Sequence, residues 1–336
     1  MKNLYIYLFC LLFAITFWGC EKDSTQETLN WTYNPSHYNL NYPDNFPIMI
    51  FDEDNPLTEE GIALGRMLYY DSLLHPTGEL ACATCHLQSN SFSSQPAVLP
   101  HINLGWNNTF LWNGKVSGNV EDIMLFEVEE FFKTDLDKFR NHETYPKLFY
   151  EAFGTEEVTS TDAAKALAQF VRTFISSDAR YDRIMIPNGA IFPTEEELNG
   201  LEIFYTEKGD CFHCHGGILF TDNLFHNNGL DLIPSAHGLS EITGDPLDLG
   251  KYKTPTLRNI EMTAPYMHDG RYQTLEEVID FYSDGVQTSA TIDPLMKQAF
   301  HGGINLNQQE KSDLRAFLKI LTDTTFTNNP AFSSPF

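Results

Sequence analysis

Basic residues are scarce in this sequence. Its 336 residues include 21 Lys and Arg against 46 Asp and Glu, a formal net charge of −25. A surface so acidic repels phosphate, and no basic patch interrupts it, which excludes a nucleic-acid partner. Anionic membrane surfaces are repelled as well, whereas a basic protein partner is attracted. Long apolar runs are also missing: the stretch from Leu4 to Trp18 falls short of the ~20 residues a transmembrane helix needs. Strongly alternating strand patterns are absent, which argues against a sandwich or barrel. Cysteine is sparse, with six residues, and two of them, Cys10 and Cys20, lie at the N-terminal end. What is present is enough to fold: 42% apolar and 13% aromatic residues exclude a mainly disordered chain. A single core seldom grows beyond ~250–300 residues, so two domains are expected.

Lys2, the uncharged run behind it, and Gly19-Cys20 before Glu21-Lys22-Asp23 read as an export signal over residues 1–19. An uncleaved anchor helix is the alternative. The Gly19-Cys20 ending resembles a bacterial lipoprotein signal, in which Cys20 becomes the lipid-bearing first residue, although Trp18 stands where a small residue is usual. The expected location is the periplasm or cell envelope. Residues 20–45 are polar and rich in Asn, Thr and Pro, as a tether would be. Turn residues over 184–193 separate a first domain, 46–185, from a second, 186–325. Residues 326–336 read as a polar surface tail.

The four remaining cysteines form two close pairs, each followed by histidine: Cys82-Ala-Thr-Cys85-His86 and Cys211-Phe-His-Cys214-His215. Disulfides within such pairs would close tiny loops and leave the repeated histidine unexplained. A four-cysteine zinc site brings its pairs within about 15–20 residues, whereas Cys82 and Cys211 are 129 residues apart. A thioredoxin-like pair belongs beside a βαβ pattern, and the surroundings read as helices. C-x-x-C-H is the attachment signature of c-type haem: two thiols add to the haem vinyl groups and the histidine ligates iron. Two such motifs predict two covalent haems.

Helical signals surround both motifs. Thr58-Glu59-Glu60 starts a helix that runs through Leu64 and Leu68 toward the first pair. Residues 161–177 carry Ala164, Leu167, Ala168, Val171, Phe174 and Ile175 at helical spacing. Thr194 to Glu197 and Thr274 to Glu277 are capping boxes, and Leu314, Phe317, Leu318 and Leu321 mark a last helix. The fold class is all-α, with a cytochrome c-like domain used twice.

The motif order resembles that of the bacterial di-haem cytochrome c peroxidases and their relative, the methylamine-utilisation di-haem oxidase. The resemblance runs from about Leu57 to Asp323. In the first half it rests on the Cys82 to His86 motif, Ile102 to Asn107 and Phe110 to Lys115. In the second it rests on Ala166 to Thr173, the Cys211 to His215 motif, Lys253 to Asn259 and Thr263 to Arg271. It implies an N-terminal haem that reacts with hydrogen peroxide, with His86 as proximal ligand, and a C-terminal haem held by His215 that receives electrons. Those electrons come from a small donor protein, a cytochrome c or a copper protein. It implies Trp112 between the haems and a glutamate that assists peroxide cleavage, with Glu130 the better match and Glu127 the runner-up. The solvated-acid alternative stays open for both. Such a carboxylate makes chemical sense, because splitting the O–O bond needs a proton moved from the near oxygen to the far one.

For the second iron the resemblance places Tyr282 where classical members have methionine and the oxidase relative has tyrosine; Met267 and Met296 are the alternatives. A calcium ion between the domains is implied at Asn103 with the backbone oxygens of Thr263 and Pro265, and the usual residues before Asn103 are missing. The loop over 87–102 is short, so the histidine that blocks the reactive iron in many members has no counterpart. His101 reads as a surface or core histidine. The leading function is an exported peroxidase. An oxidase that modifies a protein side chain, and a two-haem electron carrier without enzymatic activity, are the alternatives. A second copy of the chain is a further expected partner.

Because thioether bonds survive unfolding, the denatured mature protein is expected to retain two haems per chain, measured by absorbance against protein mass. Replacing Cys82 and Cys85 by Ala should leave one haem and abolish peroxide turnover; full turnover in that variant would contradict the assignment.

Overall fold

The computed structural model describes residues 31–187 and 189–336. The expected export signal over 1–19, the lipid expected on Cys20 and the first part of the expected tether lie outside the described residues. Six helices set the frame: α1 (Glu59–Tyr70), α2 (Val120–Phe126), α3 (Ser160–Arg172), α4 (Glu195–Phe204), α5 (Leu275–Asp280) and α6 (Gln308–Lys319). About 41% of the described residues are helical, and among them the strands are two antiparallel pairs of two residues each, Thr109–Phe110 with Val116–Ser117 and Phe225–His226 with Tyr252–Lys253. Among the described residues no helix is long and apolar enough to cross a membrane.

Helix starts follow the polar signals. The Thr58 hydroxyl accepts from the Gly61 N–H. Thr194 and Thr274 form full capping boxes with Glu197 and Glu277, each cap contributing on the order of 1 kcal/mol. The apolar stripe over 161–177 outlasts its helix. α3 ends at Arg172, and Phe174 continues into the core from a turn in which its N–H donates to the Val171 carbonyl.

Two apolar cores form within one compact unit spanning Thr32–Phe336. The first gathers Leu64, Phe92, Phe170 and Phe174; the second gathers Phe204, Phe220, Phe317 and Leu321. The change of core falls between Phe174 and Tyr181, and Met185, Ile186 and Phe192 beyond it are exposed. Both cores are built the same way. α1 crosses α3 at Gly65, where a Cβ would lie 1.9 Å from the Ala166 carbonyl oxygen. α4 crosses α6 at Gly200, where it would lie 2.0 Å from the Asp313 carbonyl oxygen. Between the two helices of each pair in the chain, a buried asparagine in left-handed conformation, Asn103 or Asn259, ties down the segment leaving the second helix. Asn103 N–H donates to Phe174 O and its amide oxygen accepts from Ser176 N–H, 2.9 Å each. Asn259 does the same with Leu321 O at 3.0 Å and Asp323 N–H at 2.6 Å. The two knots are joined, since Asn259 Nδ2 donates to Ser176 Oγ and Asp323 accepts from the N–H groups of Ser177 and Asp178.

The C-terminal tail departs from expectation. Phe326 and Phe332 are buried in the first core, against Phe92 and Phe174. Arg66 and Tyr70 of α1 donate to the carbonyls of Ser333 and Phe332. Two aromatics in a polar stretch supply enough apolar area to hold it down, so only part of 326–336 is a surface segment. The described part of the tether also lies against the body: Tyr38 N–H donates to Leu57 O, and Tyr42 packs edge-on to Trp106.

At Gly65 and Gly200 the opposing atom is backbone and cannot step aside cheaply. Alanine at either position is expected to cost about 1–3 kcal/mol, read as a fall of several degrees in thermal unfolding. An unchanged midpoint would show that the crossings are looser than drawn.

Candidate functional site

Each Cys-x-x-Cys-His sequence forms a short helical turn, Cys82–Cys85 and Phe212–His215. All four cysteines are free thiols rather than disulfides. Burial raises the Cys82 thiol well above its ordinary value, and it pushes the Cys211 thiol up to about 12. His86 Nδ1 lies 2.8 Å from the Phe92 carbonyl, and His215 Nδ1 lies 3.2 Å from the Phe220 carbonyl. A carbonyl only accepts, so Nδ1 carries the proton and Nε2 keeps its lone pair. Burial pushes both imidazoles down to about 4. They are therefore neutral near pH 7, the form that ligates a metal.

The carbonyl-bearing residues, Phe92 at φ 58° and Phe220 at φ 52°, are left-handed. That conformation is uncommon for bulky side chains. Each ring is fully buried in its core, which holds the backbone so that its oxygen turns to the histidine.

The first cavity, about 1770 Å³ including its open mouth, is bordered by His86, Phe110, Leu111, Trp112, Ile123 and Glu127. Glu127 opens a π-helical turn, Glu127–Phe131, that continues α2. Burial raises its carboxyl to about 7. The expected better match, Glu130, is exposed and does not border the cavity; the runner-up, Glu127, does. The π turn changes the phase of the side chains, so Val128 turns into the core while Glu129 and Glu130 face outward. π turns of this kind recur at functional sites.

The second cavity, about 1700 Å³ with its mouth, is bordered by His215, Tyr282, Met267, Met296 and Asn228. Tyr282 lies on another π turn, Phe281–Gly285, continuing α5. It follows its N-cap, Thr274, by eight residues, as Glu127 follows Asn119. The two side chains thus hold corresponding positions in the two halves. Asn228 Nδ2 donates to the Tyr282 hydroxyl at 3.0 Å and lies 3.7 Å from Met267 Sδ. Burial pushes the Tyr282 phenol up to about 12, against the opposing pull of Asn228.

Trp112 borders both cavities. Its Nε1 donates to Ala97 O at 3.1 Å, and its carbonyl accepts from Lys253 N–H at 2.9 Å. Lys253 borders both cavities too and is 4% exposed. Its Nζ donates to Asn223 Oδ1, and burial pushes the ammonium down to about 8. Thr263 and Pro265 border the second cavity. Asn103, the residue implied with them for calcium, instead spends both amide atoms on the Ser176 backbone.

His101 lies flat against His86, ring centroids 3.5 Å apart at 16°, and its Nδ1 meets the Tyr69 hydroxyl at 3.1 Å. Asn228, Tyr69 and the two left-handed phenylalanines were not legible as site residues, because no local motif marks them; Lys253 stood at the start of a matched stretch without any role attached to it. Counting from each N-cap to the corresponding position would have singled out Glu127.

The model of the di-haem cytochrome c peroxidase family matches residues 59–189. The methylamine utilization protein MauG of Methylophilus methylotrophus is 31% identical over 315 residues, covering 87% of this chain and 90% of that protein. The cytochrome c551 peroxidase of Nitrosomonas europaea is 27% identical over 320 residues, covering 87% of each. Among solved structures, a MauG-like protein associated with microbial copper homeostasis superposes with a TM-score of 0.81 at 34% identity, covering 89% of this chain and 99% of that one. These likenesses place the chain among the haem oxidoreductases. It belongs to the di-haem cytochrome c peroxidase family, in which both peroxidases and MauG proteins are found.

Since burial raises the Glu127 carboxyl in the folded state, its protonated form favours folding. That contribution is complete below the unfolded value of ~4.3 and is lost as pH rises through about 7. Glu127→Gln should therefore gain stability over the wild type between pH 5 and pH 8, on the order of 1–3 kcal/mol in denaturant melts. Glu130→Gln should show no such trend.

Proposed function

We propose that this chain is an exported di-haem c-type peroxidase that reduces hydrogen peroxide to water. One haem would be joined to Cys82 and Cys85 with His86 toward iron, the other to Cys211 and Cys214 with His215 toward iron. The residues fit the group: free thiols in the right spacing, histidines held by Nδ1 with Nε2 available, and a large apolar cavity beside each. When bound, haem supplies the iron that takes peroxide and the oxidising equivalents.

The chain's own work is positional and protonic. The observation that carries the reading is a buried carboxyl, Glu127, bordering the His86 cavity and poised near neutrality. Its carboxylate takes the proton from one peroxide oxygen and delivers it to the other, which leaves as water, a contribution of typically ~10²–10⁴ in rate. Trp112 stands in the wall shared with the second cavity and offers the aromatic path between them. Electrons come from a small cytochrome c or copper protein, and a basic one is drawn to a chain of net charge −25. Location in the periplasm or cell envelope, with a lipid on Cys20, completes the proposal.

A second reading, an oxidase that modifies a protein side chain, is favoured by Tyr282. A phenolate ligand would stabilise higher oxidation states and lower the potential of the second haem, where Met267 or Met296 would raise it. Asn228 holds the Tyr282 hydroxyl in the second cavity.

Stopped-flow peroxide turnover and redox titration test both readings. For the peroxidase, turnover should rise with pH through about 7 as Glu127 ionises. Glu127→Gln should lose roughly 10²–10⁴ of the rate, and Glu130→Gln should stay within a few-fold. For the oxidase, Tyr282→Met should raise the potential of one haem, and peroxide should give the wild type a long-lived oxidised species shared between both haems. Full activity in Glu127→Gln would overturn its proton role, and an unmoved potential would reduce Tyr282 to core packing.

A further inference from the structure

One chain of contacts leaves the first cavity on the side of His86 and runs to the surface. The His101 ring stacks on His86 at 3.5 Å and 16°. Its Nδ1 is 3.1 Å from the Tyr69 hydroxyl, and the Tyr69 and Tyr70 ring centroids are 5.4 Å apart. Tyr69 is fully buried, and its ring is packed edge-on by Phe92, Phe170 and Phe174. Tyr70 is half-buried, with its hydroxyl donating to Phe332 O at 2.6 Å. The Phe92 carbonyl accepts from both His86 Nδ1 and the His101 backbone N–H, so one oxygen ties the His86 ring to the His101 backbone.

We infer that Tyr69 is a redox-active tyrosine, coupled to the first cavity through the His101–His86 stack and to the surface through Tyr70. This rests on the peroxide-reducing reading above. A phenol does not lose an electron alone, since its radical cation is a very strong acid whose proton needs an acceptor. With His101 protonated at Nε2, its Nδ1 is a base within hydrogen-bond distance of the Tyr69 hydroxyl, which then donates to it. The His101–His86 stack supplies a short electronic contact to the first cavity.

The step balances as follows. Hydrogen peroxide takes two electrons and two protons to become two waters. Tyr69 gives one electron by way of His101 and His86; its O–H bond breaks, and the proton passes to His101 Nδ1. A neutral phenoxyl radical then sits beside an imidazolium. The small redox protein supplies the second electron. A further electron from the same reductant restores Tyr69 through Tyr70, as His101 returns the proton. Tyr69 therefore holds one oxidising equivalent away from the cavity while the reductant arrives.

The test is electron paramagnetic resonance of the oxidised holoprotein, frozen within seconds of adding hydrogen peroxide. An organic radical is expected whose hyperfine pattern changes when the protein is grown with deuterated tyrosine. Tyr69→Phe should lower its yield at least tenfold with two haems per chain retained. Tyr70→Phe should keep the radical and lengthen its life several-fold. A holoprotein that consumes peroxide yet gives no tyrosine-derived radical overturns the inference and leaves the peroxidase reading standing. So does a Tyr69→Phe variant with the wild-type yield. A holoprotein that consumes no peroxide overturns both. The absence of a tyrosine-derived radical needs no variant, so that outcome overturns the inference even if Tyr69→Phe folds poorly.

Discussion

The carbonyls of Phe92 and Phe220 each accept a hydrogen from the Nδ1 of the preceding Cys-x-x-Cys-His histidine, and they face it because each phenylalanine is held left-handed. An unsupported backbone would relax from that conformation, which costs of order 1–3 kcal/mol. Burial of the rings prevents this, since a phenylalanine removed from water contributes roughly 1.5–3 kcal/mol. The rings in turn pack on aromatics of the crossing helices and the turns leaving them, Phe92 on Phe174 and Phe220 on Phe317, and those helices meet closely at Gly65 and Gly200. Helix crossing, ring burial, backbone conformation and imidazole tautomer thus form one chain of causes. A histidine free to flip would offer iron a protonated nitrogen as readily as a lone pair.

The two halves share this plan and part company at one position. Eight residues beyond an N-cap, each has a π turn that lifts one side chain into the cavity. In the first half it is a carboxyl that burial brings near neutrality. In the second it is a phenol that burial keeps protonated, held by an amide. An acid that gains and loses a proton near pH 7 suits bond cleavage with water as the leaving group. A phenol over the other cavity suits an occupied coordination position. In the proposed reading, the division of labour between the cavities would follow from a single pair of residues at corresponding positions of the two halves.

Much of this was legible in the sequence. The repeated Cys-x-x-Cys-His, the capping boxes at Thr194 and Thr274 and the helical stripes give the fold class and the histidines, because these signals are local in the chain. Glu130 ranked ahead of Glu127 because a motif match carries no side-chain direction, whereas the π turn leaves Glu127 bordering the cavity and Glu130 exposed. The buried Phe326 and Phe332 were hidden in a polar tail, since their partners lie more than 150 residues away. A left-handed phenylalanine leaves no mark in composition or periodicity. What the sequence conceals is what long-range packing decides.

The wall between the cavities shows how the shared frame turns two sites into one system. Trp112 is bonded at both ends, its indole N–H to Ala97 in the first half and its carbonyl to Lys253 in the second. Its orientation therefore depends on the halves keeping their places, which the Asn103–Ser176–Asn259–Asp323 knot secures. Beside it Lys253 buries an ammonium whose hydrogen-bond partner, Asn223, is neutral. A buried cation raises the cost of removing electrons nearby and lowers the cost of adding them. Lys253 borders both cavities in a chain otherwise rich in acids, so the shared wall carries a positive charge next to Trp112. In the proposed peroxidase that charge would favour electron arrival at the wall, on the same residue whose backbone N–H holds the tryptophan carbonyl.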